Sequence, residues 1–279
     1  MQKAIQQFML GTVLNTEVQV RDTLEKMKAA GYDGIELCSF MIHPTPFVVK
    51  LLTKAAGMPV GNGGKLDWES LIREAGMKVP SIHQYLDAIE KDPEAAAAEC
   101  CAFGTDTLVI TGMYRFDYTD SEKVLDLAKR LNQAGKVLKQ SGIRLLYHNH
   151  NAEFLPVRPG CSAYRLLQQE TDPDAVNFEF DSYWCADAGV DPLLEMQRLG
   201  NRMKLWHVSD RGCRKAGFTP IYKMDAMELG SGTMDLAAMM IQAKKDGCEA
   251  VILESHRNWI EGSPVKSFQL SAEFLNRQV

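Results

Sequence analysis

Residues Arg144 to Phe154 read RLLYHNHNAEF and hold the densest set of chemically active side chains in the sequence. An apolar run of Leu145, Leu146 and Tyr147 leads into His148, Asn149 and His150, with Glu153 three residues on. Side chains alternate along a strand, so His148 and His150 share a face. Two imidazoles and a carboxylate at a strand's end can ligate a metal or transfer protons. Other apolar runs in the second half end the same way. VNFEFD carries Glu179 and Asp181, MKLWH carries His207, and AVILESH carries Glu254 and His256.

The surrounding pattern says what must position these groups. Short apolar runs alternate with longer amphipathic ones, about eight times over. The expected strands begin at Gln7 (QFMLGT), Gly34 (GIELC), Val79 (VPSIHQY), Thr107 (TLVITG), Arg144, Val176, Met203 and Ala250. They are short and rich in Val, Ile, Leu and Phe, as strands of a buried parallel sheet should be. Between them lie helical patterns such as VQVRDTLEKMKAAG, which stops at Gly31, and DPEAAAAECCAFG, with an Asp cap and a first-turn Pro. Eight strand-then-helix units in 279 residues predict a single (β/α)8 TIM barrel spanning residues 1–279. A doubly wound sheet would call for GxGxxG after the first strand, and GTVLNTE does not supply it. Asn62-Gly63-Gly64 reads as a loop within a long excursion from His43 to Lys65.

A barrel turns sequence position into geometry, because its active site sits at the C-terminal ends of the strands. Those ends carry Glu36, then His83 with Ser81 and Tyr85, then His148, His150 and Glu153, then Glu179 and Asp181, then His207, and finally Glu254 and His256. The alternates, such as Phe178 and Phe180, suit the helix-facing side. Converging carboxylates in a water-poor mouth call for a compensating cation. Oxygen and nitrogen donors suit Mn, Co, Zn or Mg, and the lack of thiolates excludes a structural zinc. The competing reading of the same residues is a buried ion-pair network. Glu179 is expected to lie deeper and to pair with a base, and Trp184, Trp206 and Trp259 read as core or rim. The loop ELGSGTMDL from Glu228 is the one candidate phosphate cradle, and a tight turn explains its glycines equally well.

Composition narrows the partners. A net charge of −5 argues against nucleic acid. No apolar stretch approaches the length of about 20 residues that a membrane helix needs. The N-terminus MQKAIQQFMLGTVLN lacks the form of a signal peptide. Seven cysteines without a CxxC fit unpaired thiols in a reducing cytoplasm.

The segments YDGIELCSF, SIHQYLD, GIRLLYHNHNAEF, VNFEFDSYWCADAGVDPLLEMQRLGNRMKLWHVSD, ELGSGTMDL and VILESH resemble the sugar phosphate isomerase/epimerase family of xylose isomerase-like barrels, in an HNHxxEF branch. The resemblance implies one divalent metal, with Mn the expected ion and Zn, Co or Mg the alternatives. It implies Asp181, His207 and Glu254 as ligands. On strand five, many members have a Glu where His148 stands, so either His148 or Glu153 completes the set, and Glu153 is favoured. His148, His150 and Glu254 are then the candidate catalytic groups, and Glu36, His83, Trp184 and Arg257 the candidate substrate contacts. The implied reaction is isomerisation or epimerisation of a sugar or keto-sugar through an enediolate after alpha-proton abstraction. Dehydration like that of inosose dehydratase is the alternative, and a sugar-binding module or an endonuclease IV-like nuclease are minor ones. The family also implies a homo-oligomer, although the sequence shows no interface signature.

Overall fold

The structure, a computed structural model, describes residues 1–44, 63–215 and 217–279. Eight parallel strands form its barrel: β1 (Gln2–Gln6), β2 (Gly34–Cys38), β3 (Ile82–Gln84), β4 (Thr107–Ile110), β5 (Arg144–His148), β6 (Val176–Asp181), β7 (Met203–Val208) and β8 (Ala250–Leu253). The barrel closes in the order β1-β8-β7-β6-β5-β4-β3-β2. The main helices are α1 (Glu17–Ala30), α2 (Trp68–Ala75), α3 (Pro93–Ala102), α4 (Ser121–Gln140), α5 (Ala163–Glu170), α6 (Pro192–Leu199), α7 (Leu236–Lys245) and α8 (Pro264–Gln278).

Two strands differ from the sequence expectation. The first is Gln2–Gln6, and the apolar run expected to form it begins a 3-10 turn, Gln7–Leu10. Pairing decides the register, since Gln2 to Ile5 lie opposite Ala250 to Leu253, and Ala4 to Gln6 opposite Gly34 to Glu36. The third strand is only Ile82–Gln84 and starts later than Val79, because Pro80 has no N–H for the ladder. The expected excursion after β2 falls largely on residues 45–62, outside the described residues.

Contacts divide the chain into two compact units. The first comprises Met1–Pro80, His207–Met240 and Ala250–Val279. Its α1 is capped by Thr16, whose hydroxyl accepts the Gln19 N–H, and ends at Gly31 with φ +96°. Asp33 and Lys3 join the helix exit to β1. At Gly34 a Cβ would stand 2.5 Å from the Lys78 carbonyl oxygen, so the close approach of these segments requires glycine.

The second unit comprises Ser81–Trp206 and Ile241–Glu249. β4, β5 and β6 pair in register, with Leu108 opposite Leu145, Leu145 opposite Val176, and His148 opposite Glu179. Phe178 and Phe180 are fully buried against Tyr164 of α5, as the alternation predicts. Burying such a ring contributes about 1.5–3 kcal/mol. That packing face leaves Glu179 and Asp181 on the opposite side of β6, which is how an apolar alternation aims two carboxylates. All seven cysteines are free, and no helix among the described residues is long and apolar enough to cross a membrane.

Candidate active site

In the first unit, three strand ends supply a continuous chain of carboxylates and imidazoles. Glu36 from β2 lies 2.6 Å from His207 Nε2, and His207 Nδ1 lies 3.0 Å from Glu254. The other Glu254 oxygen lies 2.8 Å from His256 Nε2. Glu36 and His207 are fully buried. Burial alone would raise the Glu254 carboxyl, but His256 and His207 outweigh it and hold the group well below the ordinary carboxylate range. Glu254 is therefore a carboxylate poised between two bases. The ring of Phe8 stands edge-on to His256 at 5.2 Å.

The second unit builds its half around Glu179, which is fully buried. One oxygen of Glu179 lies 2.9 Å from His83 Nε2 and 3.1 Å from His148 Nδ1. The other nitrogen of His83 meets the Thr111 hydroxyl at 3.2 Å. A shared carboxylate fixes both rings, as carboxylates behind ligating histidines do, and it presents His148 through Nε2. The rings of His148 and His150 meet edge to face at 4.9 Å, and His150 lies 5.9 Å from the Trp184 ring.

Asn149, which the sequence reading passed over, faces away from the two histidines. Its amide clamps the backbone of Asp181, accepting from the N–H at 2.9 Å and donating to the carbonyl at 3.0 Å. Asp181 in turn caps the short helix Ser182–Asp187 by accepting the Trp184 N–H at 2.7 Å. The HNH triplet thus orients two imidazoles to one side and a neighbouring carboxylate through the residue between them.

Glu153, the expected strand-five metal ligand, is hydrogen-bonded within its own segment. One oxygen accepts the Tyr147 hydroxyl at 3.0 Å and the other accepts the His150 N–H at 2.9 Å. Burial, and then the charge of Glu153, push the Tyr147 hydroxyl well above its usual range, so it stays a donor. Tyr118 extends the chain at 2.7 Å from the Tyr147 hydroxyl. The segment bends back because its carboxylate is satisfied internally. Among the described residues, the groupings suited to a metal include His148 and Asp181 and leave out Glu153.

The remaining expected contacts separate. Glu36 and His83 lie in the buried chains above. Trp184 is half-buried beside His150, whereas Arg257 is directed to Asp225, with Nε 2.9 Å from its carboxylate. Trp206 is core, and its indole N–H meets Ser182. In ELGSGTMDL the amides of Gly230, Gly232 and Met234 converge on the Asp210 carboxylate at 3.0, 2.9 and 3.1 Å. The backbone nest that could cradle a phosphate is filled by the chain's own anion.

Comparison with known proteins identifies the fold family. The xylose isomerase-like TIM barrel family matches residues 24–278, and the chain belongs to that family. It is 30% identical over 205 residues to an inosose dehydratase of Mesomycoplasma hyopneumoniae, a match that covers 71% of this chain and 64% of that protein. The chain therefore spans less than two thirds of that relative's length. A sugar phosphate isomerase/epimerase of Parabacteroides distasonis shares the fold with a TM-score of 0.77 at 22% identity, covering 98% of this chain and 93% of that one. The IOLI protein, solved with a bound zinc atom, superposes with a TM-score of 0.65 at 16% identity, covering 100% of this chain and 98% of that one.

Proposed function

We propose that the chain is a divalent-metal-dependent enzyme that removes the proton alpha to the carbonyl of a sugar or keto-sugar. The observation that carries this reading is the donor set His148, Asp181, His207 and Glu254. Two imidazoles and two carboxylates at the ends of β5, β6, β7 and the segment after β8 fit a borderline or hard divalent ion such as Mn, Zn, Co or Mg. The closed strand order supports it, since β5, β6, β7 and β8 are consecutive neighbours in the barrel. His148 takes the strand-five place because Glu179 aims its ring, while Glu153 is committed to Tyr147 and His150.

When bound, the ion would polarise the substrate carbonyl and its neighbouring hydroxyl and stabilise the charge of an enediolate. The Glu254 carboxylate accepts the alpha proton. His150, outside the donor set and held by Glu153, carries a proton to or from the substrate oxygen or the neighbouring carbon. Return of the proton gives isomerisation or epimerisation. A second reading, loss of a beta hydroxyl, is favoured by the imidazole at position 148 and by the likeness to inosose dehydratase. Proton passage between two faces suits two like carboxylates, whereas the Glu254 carboxylate paired with the His150 imidazole suits removal of a proton and protonation of a leaving hydroxyl. The filled nest at Asp210 favours an unphosphorylated substrate.

The test is proton NMR in D2O with keto-pentoses and an inosose, in the presence of Mn. Alpha-proton exchange supports the reading, and product formation sorts isomerisation from dehydration. The His207→Ala protein should show neither exchange nor metal binding. Exchange retained in that variant would place the site elsewhere.

A further inference from the structure

Gln7 follows β1 directly and is fully buried in the first unit. Its side-chain oxygen accepts the backbone N–H of Cys38 at 2.9 Å, at the end of β2. That bond settles the orientation of the carboxamide, because an N–H can be met only by the oxygen. The amide nitrogen Nε2 is thereby turned away from β2, and it has no hydrogen-bond partner among the described residues. A buried donor without a partner is costly, and such groups call for an explanation.

The position of Gln7 supplies one. It stands at the C-terminal end of its strand, where barrel enzymes hold their substrates. Its neighbours are those of the carboxylate chain: Gln6 lies in register with Glu36, and Phe8 stacks edge-on to His256. Gln6 cannot take the same role, because its own amide is spent on the Cys38 sulfur at 3.0 Å and on the Phe8 N–H. The pair therefore divides the work, with Gln6 bracing the turn and Gln7 held rigidly with one donor unspent.

We infer that Gln7 is a substrate-binding residue whose Nε2 donates to a hydroxyl or carbonyl oxygen of the sugar held beside Glu36, His207 and Glu254. The inference rests on the keto-sugar reading above and adds a residue to it. An oxygen-rich, uncharged ligand is the class that such a donor takes, since an amide offers no charge to an anion.

The experiment follows the side-chain NH2 signals of Gln7 in 15N-labelled protein, assigned by their loss in Gln7→Leu or, should that variant not fold, in Gln7→Glu, which keeps the bond to Cys38. D-xylulose and an inosose are titrated in while the His207 ring signals are recorded alongside. The expected result is that a sugar moving the His207 signals also moves the Gln7 pair, and that the Gln7 variant binds it about tenfold more weakly, the loss of roughly one hydrogen bond. A sugar that moves His207 and leaves Gln7 unmoved would overturn this inference while the keto-sugar reading stands. If neither sugar moves either residue, the keto-sugar reading falls and this inference falls with it.

Discussion

The carboxylate of Glu153 accepts the backbone N–H of His150 at 2.9 Å. With the Tyr147 hydroxyl on its other oxygen, it fixes the exit of β5 so that His148 and His150 leave the strand at a set angle. Glu153→Gln should therefore keep the metal affinity of the parent protein. It should lose about 1–3 kcal/mol of stability, because an amide nitrogen would be forced against a donor. Denaturant unfolding beside a Mn titration separates the two effects. A large loss of metal affinity with unchanged stability would restore Glu153 as a ligand.

Gly112 has φ +80°, and a Cβ there would stand 3.2 Å from His150 Nδ1 and 3.3 Å from Glu153 Oε1. Gly112→Ala should thus cost about 1–3 kcal/mol through the left-handed backbone, and it should displace His150. The expected readout is a fall in alpha-proton exchange with Mn binding retained. Exchange at the parent rate would remove His150 from the proton-transfer step.

Glu179 holds His83 and His148 through one oxygen. Glu179→Gln preserves the shape but weakens the hold on the His148 ring. Metal affinity should fall about 10–100-fold, the usual effect of losing a carboxylate behind a ligating histidine. A Mn titration unchanged from the parent would show that Glu179 serves packing alone.

Much of this was legible in the sequence. The alternation in VNFEFD placed Phe178 and Phe180 against helices and aimed Glu179 and Asp181 the other way, because burial on one face fixes the direction of the other. Eight strand-helix units gave the barrel, and the Asp92 cap with its first-turn Pro gave a helix start. Three features were not legible. β1 contains Gln2, Lys3 and Gln6, so its apolar signal is weak and its register comes from pairing with β8 and β2. Glu153 turns back onto Tyr147 and the His150 N–H, a set that Tyr118 extends from a different loop. Asn149 and Gln7 act through hydrogen bonds to backbone groups distant in sequence, and spacing carries no trace of such partners.

Acid should act on a further pair. Burial opposes the charge on Glu228, but the Ile260 N–H, its own backbone N–H and Arg214 outweigh it and hold the carboxyl below its ordinary range. A carboxyl lowered in the folded state adds stability above the unfolded value and loses it as pH falls through the folded one. Glu228→Gln should be less stable than the parent at pH 7, with the gap closing as pH drops below about 4. Thermal unfolding across that range checks it, and a gap that widens in acid would contradict the assignment.

We propose that His148, Asp181, His207 and Glu254 hold one divalent ion. Protein freed of metal and titrated with Mn, with bound ion measured by electron paramagnetic resonance, tests it most directly. Saturation is expected at about one ion per chain, lost in His207→Ala and in Asp181→Ala and kept in Glu153→Gln. No saturable binding in the parent protein, or binding that survives both alanine variants, would contradict it.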